Sequence, residues 1–178
     1  MRKQRELPKE LEDDFFFSHQ KWFNEDHATL STSELENFPY FLFELSFYLN
    51  KGLQEYPWQN PERYIPVLLK KWDKIRGILE KKFSKREKDI HSEMEAGIAL
   101  FFMLMFWSNL QPVRLCDWKQ TMVDFHAKPV NGVERLQFIM ERPYHYPSFR
   151  QLDELFTEQN KQYAKMAAIR KQKQRKPE

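Results

Sequence analysis

Twelve consecutive residues without a polar side chain, Ala96 to Trp107, constrain this chain more than anything else in it. A membrane span needs about 20 apolar residues, so the run is too short to cross a bilayer. A helix that is apolar on every side has to be enclosed on every side. The run therefore predicts a buried central helix near 89–110 with the other segments wrapped around it. At 178 residues the chain has the length for one domain with a substantial core.

The flanking segments read as further helices. Leu7, Leu11, Phe15 and Trp22 fall on one face after Pro8, giving a first helix near 8–23. Ser31 and Glu34 form a capping box, and the helix behind it restarts at Pro39 and runs to about Leu49, with Gly52 as its stop. Asn60-Pro61 opens a helix striped by Ile65, Leu68, Trp72, Ile75 and Leu79. A second capping box, Ser84 with Glu87, turns it back into the central helix as an antiparallel hairpin. Leu115, Trp118, Met122 and Phe125 mark a short helix, and Asn131 with Glu134 caps another. Pro143 and Pro147 bracket an aromatic turn, and Ser148 with Gln151 caps the last helix. Beyond Ile169 nothing apolar remains, so residues 170–178 are expected as a frayed basic tail after a single domain over 1–169. No segment alternates with period two. The expectation is an all-α bundle of about six or seven helices.

Net charge is +3 but unevenly spread: −5 over 1–60, +6 over 61–88, −4 over 89–160 and +6 over 161–178. The two positive blocks either contact nucleic-acid phosphates or pair with the chain's own acidic blocks. Their candidate contact residues are Lys81, Lys82, Lys85, Arg86, Lys88, Arg170, Lys171, Lys173, Arg175 and Lys176. The tail has no aromatic after Tyr163, which argues against base stacking there.

Candidate chemistry is sparse. His91 and Glu95, four apart on one helical face, supply two potential metal ligands, but no third partner stands at ligand spacing. Glu44, inside an apolar run, falls with Asn37, Tyr40, Tyr48 and Lys51 on what reads as the one wet stripe of its helix, so it is expected in solvent. The one cysteine, Cys116, excludes an internal disulfide and has no histidine nearby to make it a nucleophile. Glycine-rich phosphate loops and a Gly-x-Ser-x-Gly elbow are absent, so no cofactor is expected. No signal sequence is visible, and a cytoplasmic protein with no membrane association is expected.

Aromatic residues make up 16% of the chain. They either fill a bulky core or form a partner surface, for which the candidates are Phe15, Phe16, Trp22, Trp58, Tyr144 and Tyr146. Phe15-Phe16-Phe17 with Trp22-Phe23, the Trp72 helix, the 96–107 run and Asp117-Trp118 together resemble the YpoC-like proteins of Bacillus-type bacteria. That family brings no catalytic signature. Its members tend to be encoded near DNA-repair and replication-initiation genes, so the resemblance implies a link to DNA metabolism. The leading expectation is a non-catalytic adaptor for an unidentified protein partner. The alternatives are a nucleic-acid-associated protein using the blocks 61–88 and 161–176, and a metal-dependent enzyme built on His91 and Glu95.

Overall fold

Three long helices organise the molecule, in a computed structural model that describes residues 4–17, 22–24 and 40–175. They are α3 (Pro61–Ser84), α4 (His91–Ser108) and α7 (Tyr146–Arg175). Shorter helices complete the shell: α1 (Asp14–Phe17), α2 (Leu42–Tyr48), α5 (Trp118–Val123) and α6 (Gly132–Glu141). The fold is all-α, as the periodicity predicts.

The central helix is α4, and every residue from Gly97 to Ser108 is buried. α3 lies antiparallel to it, and α7 runs back parallel to it. Contacts at both ends of the bundle fix these directions. Phe83, at the end of α3, meets Tyr146 and Phe149 at the start of α7, with ring centroids 5.3 Å apart in each pair. Glu62, at the start of α3, meets Lys171 near the end of α7 at 3.5 Å. Between these ends Trp72 stacks on Phe156 at 4.2 Å and 6°. Gly97 makes room for that stack: a Cβ there would stand 2.6 Å from the Trp72 ring and 3.2 Å from Leu152.

α3 begins at Pro61, as its Asn-Pro opening predicts. It does not end in a capping box. Ser84 is its last residue, and its hydroxyl donates to the Lys81 carbonyl. Arg86 takes the left-handed conformation (φ 55°), its N–H donates to the Phe83 carbonyl, and Glu87 N–H reaches Lys82. This is a Schellman closure. α2 and α4 end the same way, around Asn50 (φ 55°) and Leu110 (φ 61°). Asparagine, arginine and leucine thus stand where glycine is usual, which helps a chain with 4 glycines turn so often. The other expected caps also differ. Asn131 precedes α6 in a left-handed conformation and makes no side-chain cap bond. Ser148 lies inside α7 and donates to the Arg142 carbonyl. The Ser31–Glu34 box lies outside the described residues.

The expected helix over 8–23 is not formed. Its place is taken by a 3-10 turn (Lys9–Leu11), the four-residue α1, and an antiparallel ladder of β1 (Gln4–Glu6) with β2 (Trp22–Asn24), Arg5 opposite Phe23. Asp13 breaks the helix and restarts it, since its carboxylate accepts the N–H groups of Phe15 (2.8 Å) and Phe16 (3.0 Å). The Glu10 carbonyl then ties this segment to the core by accepting from Leu115 N–H at 2.7 Å.

Residues 170–175, expected to fray, continue α7 as helix. Arg170 is one reason: its guanidinium donates to the Ser108 carbonyl at 2.8 Å, where the C-terminal end of α4 favours a cation.

Candidate functional site

The fold gathers residues from two unrelated sequence candidates at one place. Glu95 lies one turn into α4, and Tyr144 lies in the turn before α7. The Tyr144 hydroxyl donates to Glu95 Oε1 at 2.7 Å, across 49 positions of chain. His91, one turn earlier on the same face of α4, packs on the Tyr144 ring with centroids 3.9 Å apart. Phe15 from α1 stacks on the same ring at 6.5 Å. Tyr40 is close enough for the Glu95 charge to act on it. Burial first, and then that charge, push its hydroxyl up to about 12. Burial and the bond to Glu95 likewise raise the Tyr144 hydroxyl well above its ordinary value, so it stays a donor. His91 is exposed, and Phe15, Tyr40, Glu95 and Tyr144 are half-buried. The result is a partly open surface of rings around one carboxylate.

The other aromatic candidates do not join it. Trp58 is 7% exposed and stacks on Tyr56 at 4.9 Å, so it belongs to the core and offers no surface to a partner. Phe16 points inward to Phe41 (5.1 Å) and Phe102 (5.8 Å). Tyr146 is 54% exposed but rests against Phe83 and not against Tyr144. The Trp22 side chain lies outside the described residues.

His91 and Glu95 do share a face, but Glu95 is engaged by Tyr144. Among the described residues no three His, Cys, Asp or Glu side chains come together to hold a metal ion. Cys116 is exposed, and burial of its sulfur followed by the nearby Asp117 raise its thiol, which leaves it a poor nucleophile at neutral pH.

Lys81 to Lys88 and Arg170 to Arg175 lie at opposite ends of the bundle. α3 and α7 are antiparallel and α3 spans roughly 36 Å, so Lys81 to Lys88 and Arg170 to Arg175 form no common patch. Three of the candidates also have internal partners: Lys82 with Glu93 at 2.8 Å, Lys171 with Glu62, and Arg170 with Ser108. Lys81, Lys85, Arg86, Lys88, Lys173 and Arg175 remain exposed. Lys176 lies outside the described residues.

Glu44 overturns its expected solvation. It is fully buried, and its Oε1 accepts the Trp107 indole N–H at 2.7 Å and the Val113 N–H at 3.3 Å. Tyr48, one turn on, donates its hydroxyl to the Val113 carbonyl at 3.0 Å. The polar stripe of α2 thus faces inward, because the end of α4 and the loop behind it present donors that need an acceptor. Phe47, three residues on from Glu44, is 40% exposed. Burial pushes the Glu44 carboxyl up to about 7, with the indole and backbone donors opposing it. Its second oxygen, Oε2, is buried without a partner. Helical spacing alone gave no sign of this residue's role, since Trp107 stands 63 positions away.

Fold and site together define a small all-α protein with a partly exposed aromatic–carboxylate surface, and no helix long and apolar enough to cross a membrane among the described residues. The YpoC-like protein family model matches residues 62–171, from α3 to near the end of α7, and the chain belongs to that family. An uncharacterized protein YpoC of Bacillus subtilis strain 168 is 36% identical over 115 residues, 64% of this chain and 70% of that protein. No solved structure matches the chain. The matched span contains His91, Glu95 and Tyr144, whereas Phe15, Tyr40 and Glu44 precede it.

Proposed function

We propose that this protein is a non-catalytic helical adaptor that docks a protein partner on the surface formed by Phe15, His91, Glu95 and Tyr144. One observation carries the reading: the Tyr144 hydroxyl is held on Glu95 at 2.7 Å while its ring remains half-exposed between His91 and Phe15. Fixed aromatic rings supply contact area at little entropic cost and are the usual anchors of protein interfaces. A carboxylate among them suits an arginine or lysine of the partner, which stacks on the rings and pairs with the acid. A cytoplasmic location and a place in DNA metabolism belong to the same reading. The location rests on the single unpaired cysteine, and the pathway on the gene neighbourhood associated with the family.

Cross-linking from a photoreactive residue at Phe15 tests it, combined with Tyr144→Ala and Glu95→Gln. A partner that cross-links to the wild type and is lost from both variants supports the docking surface. A partner retained by both contradicts it.

A further inference from the structure

The outer face of α3 carries a row of cations that form no ion pair among the described residues. Lys70, Lys74, Lys81 and Lys85 recur at steps of four, seven and four, so they line one side of the helix over roughly 22 Å. All four are exposed. Arg86 and Lys88 extend the row around the turn, where the exposed Glu87 and Asp89 flank Lys88. None of the six has an ion pair among the described residues, whereas Arg63, Arg76 and Lys82 on the same helix pair with Glu55, Asp73 and Glu93. Glu80 lies roughly 100° round the helix from Lys81, off the row. Two further features of this face cost stability. Gly77 sits mid-helix beside the row with nothing within 4 Å of where a Cβ would stand, so no packing in the molecule calls for it. Arg86 holds a left-handed backbone at φ 55°, where glycine would be unstrained.

We infer that the outer face of α3, with its turn, binds the phosphate backbone of duplex nucleic acid independently of the basic tail. Charge complementarity selects the partner. Duplex DNA carries one charge per about 1.7 Å of axis, so a straight row of lysines finds phosphates in any register. The row bears no aromatic ring, which disfavours single strands, whose bases need stacking platforms. Val67 and Ile78 are its exposed apolar residues, at 47% and 43%, and stand about 16 Å apart along the helix. That is too sparse for the continuous apolar stripe of a lipid-bound helix or the clustered anchors of an acidic protein partner. Gly77 lets a backbone approach the helix closely between Lys74 and Lys81.

The test is titration of the full chain with a labelled 20-base-pair duplex between 50 and 200 mM salt. Four phosphate contacts give a log–log slope of about −4, a loss on the order of 10²-fold across that range. Lys74→Gln with Lys81→Gln reduces the slope by about 2. Lys173→Gln with Arg175→Gln, or Tyr144→Ala, leaves it within one unit. Thermal melts confirm that each variant folds. No duplex binding at 50 mM salt overturns the inference, as does a slope that falls with the tail variant and not with the α3 variant. Binding to anionic vesicles or polyglutamate without duplex binding overturns it as well.

Discussion

Glu44 is a carboxyl group with no access to water, and its burial makes folding stability depend on pH. Glu44 is bonded through one oxygen to Trp107 and Val113, and burial favours its neutral form. The charged and titratable groups nearest this region are Tyr48 on the same helix, Glu10 from the N-terminal segment, and Arg114 and Cys116 from the loop after α4. Arg114 is held by Asp117 at 2.6 Å and leaves Glu44 without an ion-pair partner. The folded carboxyl titrates near 7 against an ordinary value of 4.5. Between those values the folded chain keeps a proton that the unfolded chain has released. The stabilisation is therefore complete below pH 4.5, declines as pH rises to 7, and is gone above it. The difference is about 3 kcal/mol for this shift. Denaturant titrations from pH 4.5 to 8 are expected to show the decline in the wild type and its absence in Glu44→Gln, with the variant the more stable of the two at pH 8. Equal pH slopes for the two would contradict the neutral, buried assignment.

At the scale of the helices, stability depends on where glycine is needed and where it is not. Gly97→Ala drives a methyl group into the Trp72 ring and is expected to cost about 1–3 kcal/mol. Gly77→Ala meets open space and is expected to stabilise by roughly 1 kcal/mol. Arg86→Gly relieves a left-handed residue and is expected to gain about 1 kcal/mol. Chemical denaturation orders these variants directly, and a stabilising Gly97→Ala would refute the packing described. The helices themselves were largely legible. α3 announces itself by Asn60-Pro61 and an apolar stripe, and α4 by its unbroken apolar run, because these signals are local. The segment over 8–23 misled because its apolar spacing was helical while Asp13, an N-cap in mid-run, decided the backbone. Glu44 misled for a different reason. Its polar neighbours on α2 look like a solvent face until α4 is seen to place an indole donor against them. The His91–Glu95 pair and Tyr144 were each visible as candidates, but their meeting depends on α4 and α7 running parallel, which no local pattern encodes.

Over the whole molecule, antiparallel α3 and α7 hold the basic end of α7 away from the turn end of the lysine row. The Tyr144 surface and the lysine row are built from different residues, so partner binding and phosphate binding are expected to respond to different substitutions. Arg170 serves the fold: it closes the end of α4, where Gln159 donates to Ser108 at 2.7 Å and to the Ala127 carbonyl at 2.9 Å. Truncation after Ile169 is therefore expected to lower the melting temperature, while removal of residues 174–178 leaves it unchanged. All of this depends on α4 being enclosed between α3 and α7. Amide hydrogen exchange on the full chain measures that enclosure. The account predicts that amides 98–107 exchange only through global unfolding, together with those of 68–79 and 152–159, while α2 opens sooner. Exchange of 98–107 as fast as that of α2 would contradict it.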